Sequence, residues 1–398
     1  MKLAQRVARI KPSATLTISA KAKALKQQGV QIVNFGVGEP DFDTPQHIQE
    51  AAVAAIKRGE TRYTAVSGID ELKDAICRMI AEDYGLSYGK QNVLVCCGGK
   101  HALYNLFQTV LDPGDEVIIP SPYWVSYPDM VELAGATPVT VACPEENGFK
   151  LRPEDLEGAI TPRTRMIIIN SPSNPTGVHY LREEYLALVE ILAKYEDIII
   201  VSDDIYYRIL FRGYEWVNIA MLDERLRERT FIVNGVSKTY CMTGWRIGYL
   251  IGDAGVIKAA NNIQSQSTSN PTSISQWASV AALNGEQEGV SNMAKIFEDR
   301  CKYVLGRLAK LPGVTCPSPA GAFYVFPNIS HYFGRRHEAQ TITNSLDMAN
   351  FLMEKAHVAV VPGGAFGEDR CIRFSYALSM DDLREGFDRI EKALKILL

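Results

Sequence analysis

The sequence predicts an α/β protein: a doubly wound sheet, followed by a second unit of different texture. Two observations carry this reading. Short β-branched runs alternate with helical patterns through the middle of the chain, which is the rhythm of βαβ units. Several runs are apolar on consecutive residues, as in Ile198-Ile199-Ile200-Val201, as expected of parallel strands buried on both faces.

In chain order, the strand candidates are 93–97, 116–120, 138–142, 166–170, 198–203, 231–236 and 248–252. Helical patterns at 102–110 and 182–195 fall between them. The texture changes near Gln276. From there 277–283 and 294–311 read as helices, and 321–327, 358–361 and 371–376 as short strands. The stretch 381–397 is amphipathic, with Leu383, Phe387, Ile390 and Leu394 on one face. The first forty-odd residues end in the turn-rich Gly38-Glu39-Pro40-Asp41-Phe42-Asp43-Thr44-Pro45 and are expected to join this second unit. Segment 330–345 is polar and irregular, and is expected to be a mobile loop.

Composition narrows the function. The 398 residues are 46% hydrophobic and 22% charged, a balance that supports a large core. A net charge of −4, without basic clusters, gives no reason to expect nucleic acid or an anionic membrane surface. No apolar run approaches the roughly 20 residues a membrane span requires. The first nine residues interleave charges where a secretion signal needs an apolar stretch. Eight cysteines occur without a CxxC pair, so a reducing cytoplasm is expected. Six histidines form no ligand motif, and no metal is expected.

In open α/β sheets, ligands bind beyond the carboxyl ends of the strands. Five groups stand at such ends. Gly98-Gly99-Lys100 precedes a helix, so small residues let backbone N–H groups approach a phosphate; an ordinary strand-to-helix turn fits equally well. Ser171-Pro172-Ser173-Asn174-Pro175-Thr176-Gly177 is a rigid turn that would hold the Asn174 amide in one direction. Asp203, ending a buried strand, needs a cation such as a protonated pyridine nitrogen, although a helix cap is the simpler use of it. Lys238, in Ser237-Lys238, has surroundings that lower an amine pKa and favour attack on an aldehyde; a strand-end lysine also snorkels to solvent. Arg246 offers a bidentate fork for phosphate. Each feature alone is weak. Phosphate cradle, amide, acid, lysine and arginine together match the needs of pyridoxal phosphate, whose ring nitrogen must stay protonated to act as an electron sink.

The chain resembles the class I (fold type I) pyridoxal-phosphate aminotransferases over essentially its whole length, and within them the bacterial aspartate and aspartate/prephenate branch. The motifs are Lys11-Pro12-Ser13-Ala14-Thr15, the Gly38 to Pro45 turn, Ser121-Pro122-Tyr123-Trp124-Val125-Ser126-Tyr127-Pro128, Asn174-Pro175-Thr176-Gly177, Ser237-Lys238 and Met242-Thr243-Gly244-Trp245-Arg246-Ile247-Gly248. The resemblance implies a mostly parallel central sheet in a large cofactor-binding domain, 46–285, and a smaller α+β domain formed by 286–398 with the arm 1–45. It implies that Lys238 anchors the cofactor and shuttles the proton. It implies too that Asp203 pairs with the ring nitrogen, that Asn174 and Tyr206 bind the phenolic oxygen, and that Trp124 stacks on the ring. Gly99, the Lys100 backbone, Ser237 and Arg246 are implied for the phosphate. Tyr63 is implied to reach the phosphate of a neighbouring subunit, which makes a homodimer part of the site.

Arg373 lies within apolar Cys371-Ile372-Arg373-Phe374 and so needs an anionic partner. The resemblance makes that partner the substrate α-carboxylate, assisted by Gly38, Asn174 and Trp124. No arginine occurs between Ile247 and Asp299 to read a distal carboxylate, and in this branch the lysine of Gly98-Gly99-Lys100 takes that task. Lys11 matches a position linked to prephenate; a solvated N-terminal lysine is the alternative. His101 and Asp204 depart from the family pattern, and His101 stands close enough to alter pocket polarity. The expected activity is transfer of the amino group from L-aspartate to 2-oxoglutarate by ping-pong chemistry. A prephenate or aromatic aminotransferase is the alternative, with a β-lyase behind it. A regulatory module on this fold would normally carry an added helix-turn-helix domain, which is not expected here because the enzyme pattern fills the sequence.

Overall fold

In the computed structural model, residues 2–10, 14–338 and 340–397 are described. Lys11 lies outside them. Strand β1 (Val33–Asn34) precedes a central sheet of seven: β2 (Val93–Cys96), β3 (Glu116–Ser121), β4 (Thr137–Ala142), β5 (Thr164–Asn170), β6 (Ile199–Asp203), β7 (Thr230–Gly235) and β8 (Gly248–Ile251). Their order is β2-β8-β7-β6-β5-β3-β4. All seven candidate runs are strands of this one sheet. β2, β6, β7 and β8 are buried at every position, which is why they read as unbroken apolar runs, whereas the edge strand β4 is partly exposed along its length.

One direction differs from the parallel pattern that consecutive apolar residues suggest. β8 runs antiparallel to both of its neighbours, β2 and β7. Burial on both faces leaves the same apolar signature in either direction, so the sequence does not distinguish them. The reversal has a consequence for the site. An antiparallel strand begins at the edge where its parallel neighbours end, so Arg246, just ahead of β8, reaches the edge on which β2, β5, β6 and β7 terminate.

The rest of the chain packs as a smaller unit. β9 (Tyr324–Val325) is followed by a hairpin of β10 (Arg336–His337) with β11 (Gln340–Thr341), and then by β12 (Val358–Ala359), β13 (Val361–Pro362) and β14 (Ile372–Ser375). β13, β14 and β9 form an antiparallel sheet, while β1 pairs in parallel with β12. The hairpin corrects the loop expected over 330–345, since its polar, partly exposed residues carry no apolar alternation. The closing helix Met380–Leu394 buries Leu383, Phe387, Ile390 and Leu394, the face read from its periodicity. Phe387 meets Phe35, from the residue after β1, edge-to-face at 5.6 Å. Helix Glu288–Leu308 buries Val290, Met293, Phe297, Cys301, Val304 and Leu308, a stripe three to four residues apart. Among the described residues, no helix is long and apolar enough to cross a membrane.

Candidate active site

A cavity of about 290 Å³ opens at the carboxyl edge of the parallel strands. Every described residue singled out from the sequence for cofactor or substrate lines it, apart from Tyr63. Tyr63 is 91% exposed and does not reach the cavity of its own chain. His101 stays off the lining as well, where its Nδ1 accepts the Cys97 N–H at 3.2 Å.

One end of the cavity is a cradle of donors. Gly98 has φ +94, and a Cβ there would lie 2.4 Å from Arg246 Nη2, so only glycine lets the guanidinium lie against this turn. Gly248 is equally constrained, because its Cβ would sit 2.3 Å from the Gly99 nitrogen. Arg246 is held by the Thr243 carbonyl (Nη1, 2.8 Å) and the Cys97 carbonyl (Nη2, 3.3 Å). Helix Gly99–Val110 begins here, and its first N–H groups have no intrahelical acceptor. Buried Ser237 completes the cradle.

The amine and the carboxylate stand farther in. Lys238 Nζ donates to the Gly38 carbonyl. Burial is the main cause that lowers its pKa to about 8, with the Arg246 and Arg373 charges adding to it. At neutral pH a usable fraction of this amine is therefore unprotonated and nucleophilic. Asp203 ends β6 and caps no helix, because turns follow it. Its Oδ2 accepts from Tyr127 Oη at 2.7 Å and its Oδ1 from the Ile205 N–H at 3.4 Å. Burial pushes its carboxyl up to about 6, opposed by those two bonds and by the Lys238 charge. The neighbouring Asp204 points away, bound to Ser202, Tyr84 and Asn218 at 2.7, 3.0 and 2.8 Å.

A third cluster joins the two units. Arg373, on β14, is 2% exposed. It donates from Nη1 to Asn174 Oδ1 at 3.0 Å and from Nη2 to the Gly36 carbonyl at 2.9 Å, while its buried Nε has no partner. Its guanidinium lies 4.6 Å from the Tyr324 ring centroid. Tyr324 Oη shares a 3.0 Å hydrogen bond with Tyr206 Oη. At the exposed side, Lys100 Nζ lies 4.9 Å over the Trp124 ring. Burial and the Arg246 charge both lower the Lys100 pKa.

Sequence reasoning missed Tyr127, Asn170 and Tyr324, which also line the cavity. Asn170 Oδ1 accepts the Asn174 N–H and its Nδ2 donates to the Asp203 carbonyl, both at 2.8 Å, so one side chain ties two strand ends together. Its place as the last residue of a strand run was the available signal. Tyr127 lay inside a quoted motif and Tyr324 inside a strand candidate, but their partners are 76 and 118 residues away.

The lining carries four basic side chains, Lys100, Lys238, Arg246 and Arg373, against the single carboxylate of Asp203. Such an excess calls for anionic ligands. The donor cradle suits a phosphate, the amine an aldehyde carbon, the buried acid a cationic ring nitrogen, and the unpartnered Arg373 Nε a carboxylate. The residues therefore fit pyridoxal phosphate together with an amino or oxo acid. These features define an enzyme site of the kind that handles amino groups on a phosphorylated aldehyde cofactor.

The comparisons with known proteins agree. Residues 30–390 match the family model for class I and II aminotransferases. The chain is 49% identical to an aspartate aminotransferase of Bacillus subtilis (strain 168) over 395 residues, 98% of each chain. It is 50% identical to an aspartate/prephenate aminotransferase of Nitrosomonas europaea, covering 99% of this chain and 100% of that one. Among solved structures, an aspartate aminotransferase from Rhizobium meliloti superposes with a TM-score of 0.97 at 45% identity, covering all of both chains. The Thermus thermophilus aspartate aminotransferase solved with maleate gives 0.93 at 41% identity, covering 99% of this chain and 100% of that one. This chain belongs to the class I and II aminotransferase family. It is a pyridoxal-phosphate-dependent aminotransferase of fold type I.

Proposed function

We propose that this enzyme moves the amino group of L-aspartate to 2-oxoglutarate in a ping-pong reaction. The observation that carries the reading is the pair of ring-braced cations in one cleft, Arg373 over Tyr324 and Lys100 over Trp124. Two such cations suit a substrate with two carboxylates. The Thermus relative, solved with the dicarboxylate maleate, supports the same substrate class.

Bound in this cleft, pyridoxal phosphate supplies the electron sink that a carbanion at the substrate Cα requires. The chain's own groups do the rest. The Gly99 and Lys100 N–H groups, Ser237 and Arg246 hold the phosphate, joined by Tyr63 of a second copy in a homodimer. Asp203 stays an anion against the ring nitrogen, and Trp124 covers the ring face. Tyr206 and the Asn174 amide donate to the phenolic oxygen. Arg373, backed by Asn174 and the Gly38 segment, grips the α-carboxylate, and Lys100 takes the distal one. Lys238 anchors the cofactor's aldehyde carbon at rest. Freed by the incoming substrate amine, its own amine would take the Cα proton and deliver it, across the shared nitrogen, to the cofactor's former aldehyde carbon. Because the first half-reaction releases an oxo acid and the second takes one up and releases an amino acid, the same residues would serve both substrates in turn.

The large domain in this reading runs over 46–285 and carries the cofactor, while 286–398 with 1–45 forms the smaller domain that supplies Arg373. A cytoplasmic setting suits eight free cysteines. The aspartate/prephenate relatives support prephenate as a further acceptor, with Lys11 as a candidate contact. Initial rates with aspartate and 2-oxoglutarate both varied test the reading. Oxaloacetate formation with parallel double-reciprocal lines is expected; intersecting lines, or no oxaloacetate, would contradict it.

A further inference from the structure

Between the residue read as covering the cofactor ring and the residue read as facing its nitrogen stands a side chain with neither role. Tyr127 is 2% exposed, at the start of helix Tyr127–Leu133. Its ring meets Trp124 edge-to-face at 5.3 Å and 82°, and its hydroxyl donates to Asp203 Oδ2 at 2.7 Å. The other donor to this carboxylate, the Ile205 N–H, is long at 3.4 Å. Asp203 is thus held in place chiefly by one phenol.

We infer that Tyr127 is a positioning residue, which keeps the Asp203 carboxylate ionised and aimed at the cofactor's ring nitrogen while bracing Trp124 from the side. The inference rests on the reading of Asp203 given under the proposed function. Ionised and titratable groups face Asp203 from several elements. Asp204 and Tyr206 lie on its own strand and the turn after it, Lys238 follows β7, and Tyr127 comes from the helix after β3. Asp204 opposes a charge on Asp203, whereas Lys238 and the Tyr127 hydroxyl favour it. Burial already pushes the Asp203 carboxyl up to about 6 with the phenol in place. Losing the phenol raises it further, toward the pH at which the enzyme works. A protonated Asp203 no longer offers a negative charge to a cationic nitrogen, so the loss in cofactor affinity must grow as pH falls.

The test uses the full chain freed of cofactor and titrated with pyridoxal phosphate from pH 6 to pH 8.5, read by absorbance and protein fluorescence. Tyr127→Phe keeps the ring and its contact with Trp124 but removes the hydroxyl. We expect roughly tenfold weaker binding near pH 7, with the midpoint of the pH profile moved up by about one unit. A packing role alone would change affinity by the same factor at every pH, or not at all, and either result overturns the inference. Asp203→Asn serves as the reference and is expected to weaken binding and flatten the profile; adding Tyr127→Phe to it should then cost little more. If Asp203→Asn acts while Tyr127→Phe does not, only the inference about Tyr127 fails. Should Asp203→Asn leave affinity and profile unchanged, the reading of Asp203 itself fails, and the inference with it.

Discussion

Arg373 Nη1 and Asn174 Oδ1 are 3.0 Å apart, although 199 residues separate them in the chain. One sits on a strand of the smaller unit, the other in the rigid turn after β5. The bond occupies the Asn174 carbonyl oxygen and, with the Gly36 carbonyl, fixes the arginine fork. It leaves the buried arginine Nε without a partner among the described residues. Two buried groups are thereby oriented before any substrate arrives.

This preorganisation predicts that Arg373→Lys is not conservative. Lysine keeps the charge but loses the planar fork and its bond to Asn174. Steady-state kinetics should show kcat/KM for aspartate and for 2-oxoglutarate falling together by about 100-fold or more, or about 3 kcal/mol. A loss under tenfold would mean that Arg373 is a structural cation.

Lys100 makes a different prediction, because only a dicarboxylate should sense it. Lys100→Ala should lower kcat/KM for aspartate at least tenfold more than for alanine, about 1.4 kcal/mol of selectivity. Equal losses for both amino acids would remove the Lys100 side chain from the distal pocket.

The Lys238 amine gives a pH prediction with a definite sign. A protonated amine cannot attack a carbonyl, and burial lowers its pKa to about 8. The rate at which cofactor-free protein captures pyridoxal phosphate should therefore rise with pH and level off above about pH 8. An ordinary lysine would keep gaining up to about pH 10.4. Stopped-flow absorbance across that range separates the two, and Lys238→Ala should abolish the capture phase.

Much of this was legible in the sequence because β-branched runs buried on both faces are hard to mistake and their ends carry the chemistry. Lys238, Asp203 and Arg246 stood out for being polar at such ends. The direction of β8 was not legible, since burial erases the alternation that would reveal it. The hairpin of β10 and β11 was missed for the opposite reason, having too little burial to leave a pattern. Contacts that join distant segments, such as Lys238 with the Gly38 carbonyl 200 residues away, leave no local trace. Tyr63 belongs to neither group: it is 91% exposed, and the contact proposed for it would come from a second copy of the chain.

Stability should depend on another long-range pair. Arg300, buried on helix Glu288–Leu308, donates to both Asp41 oxygens at 2.7 and 2.9 Å and lies 5.3 Å from the Phe42 ring centroid. The pair ties the segment carrying Gly38 to the long helix. Asp41→Ala strands the arginine and should cost about 3 kcal/mol in denaturant unfolding. It should also raise the KM for aspartate, as the Gly38 segment loosens. Unchanged stability would mean that solvent already screens the pair.

The central claim, that Lys238 holds pyridoxal phosphate in a cleft built for dicarboxylic amino acids, is tested most directly by one visible spectrum followed through two additions. Purified enzyme should show the absorbance of lysine-bound pyridoxal phosphate. L-aspartate should bleach it to the pyridoxamine form, and 2-oxoglutarate should restore it, displaying both half-reactions in one cuvette. A spectrum present at the start but unchanged by aspartate would contradict the substrate assignment. No such absorbance after incubation with pyridoxal phosphate would contradict the role of Lys238.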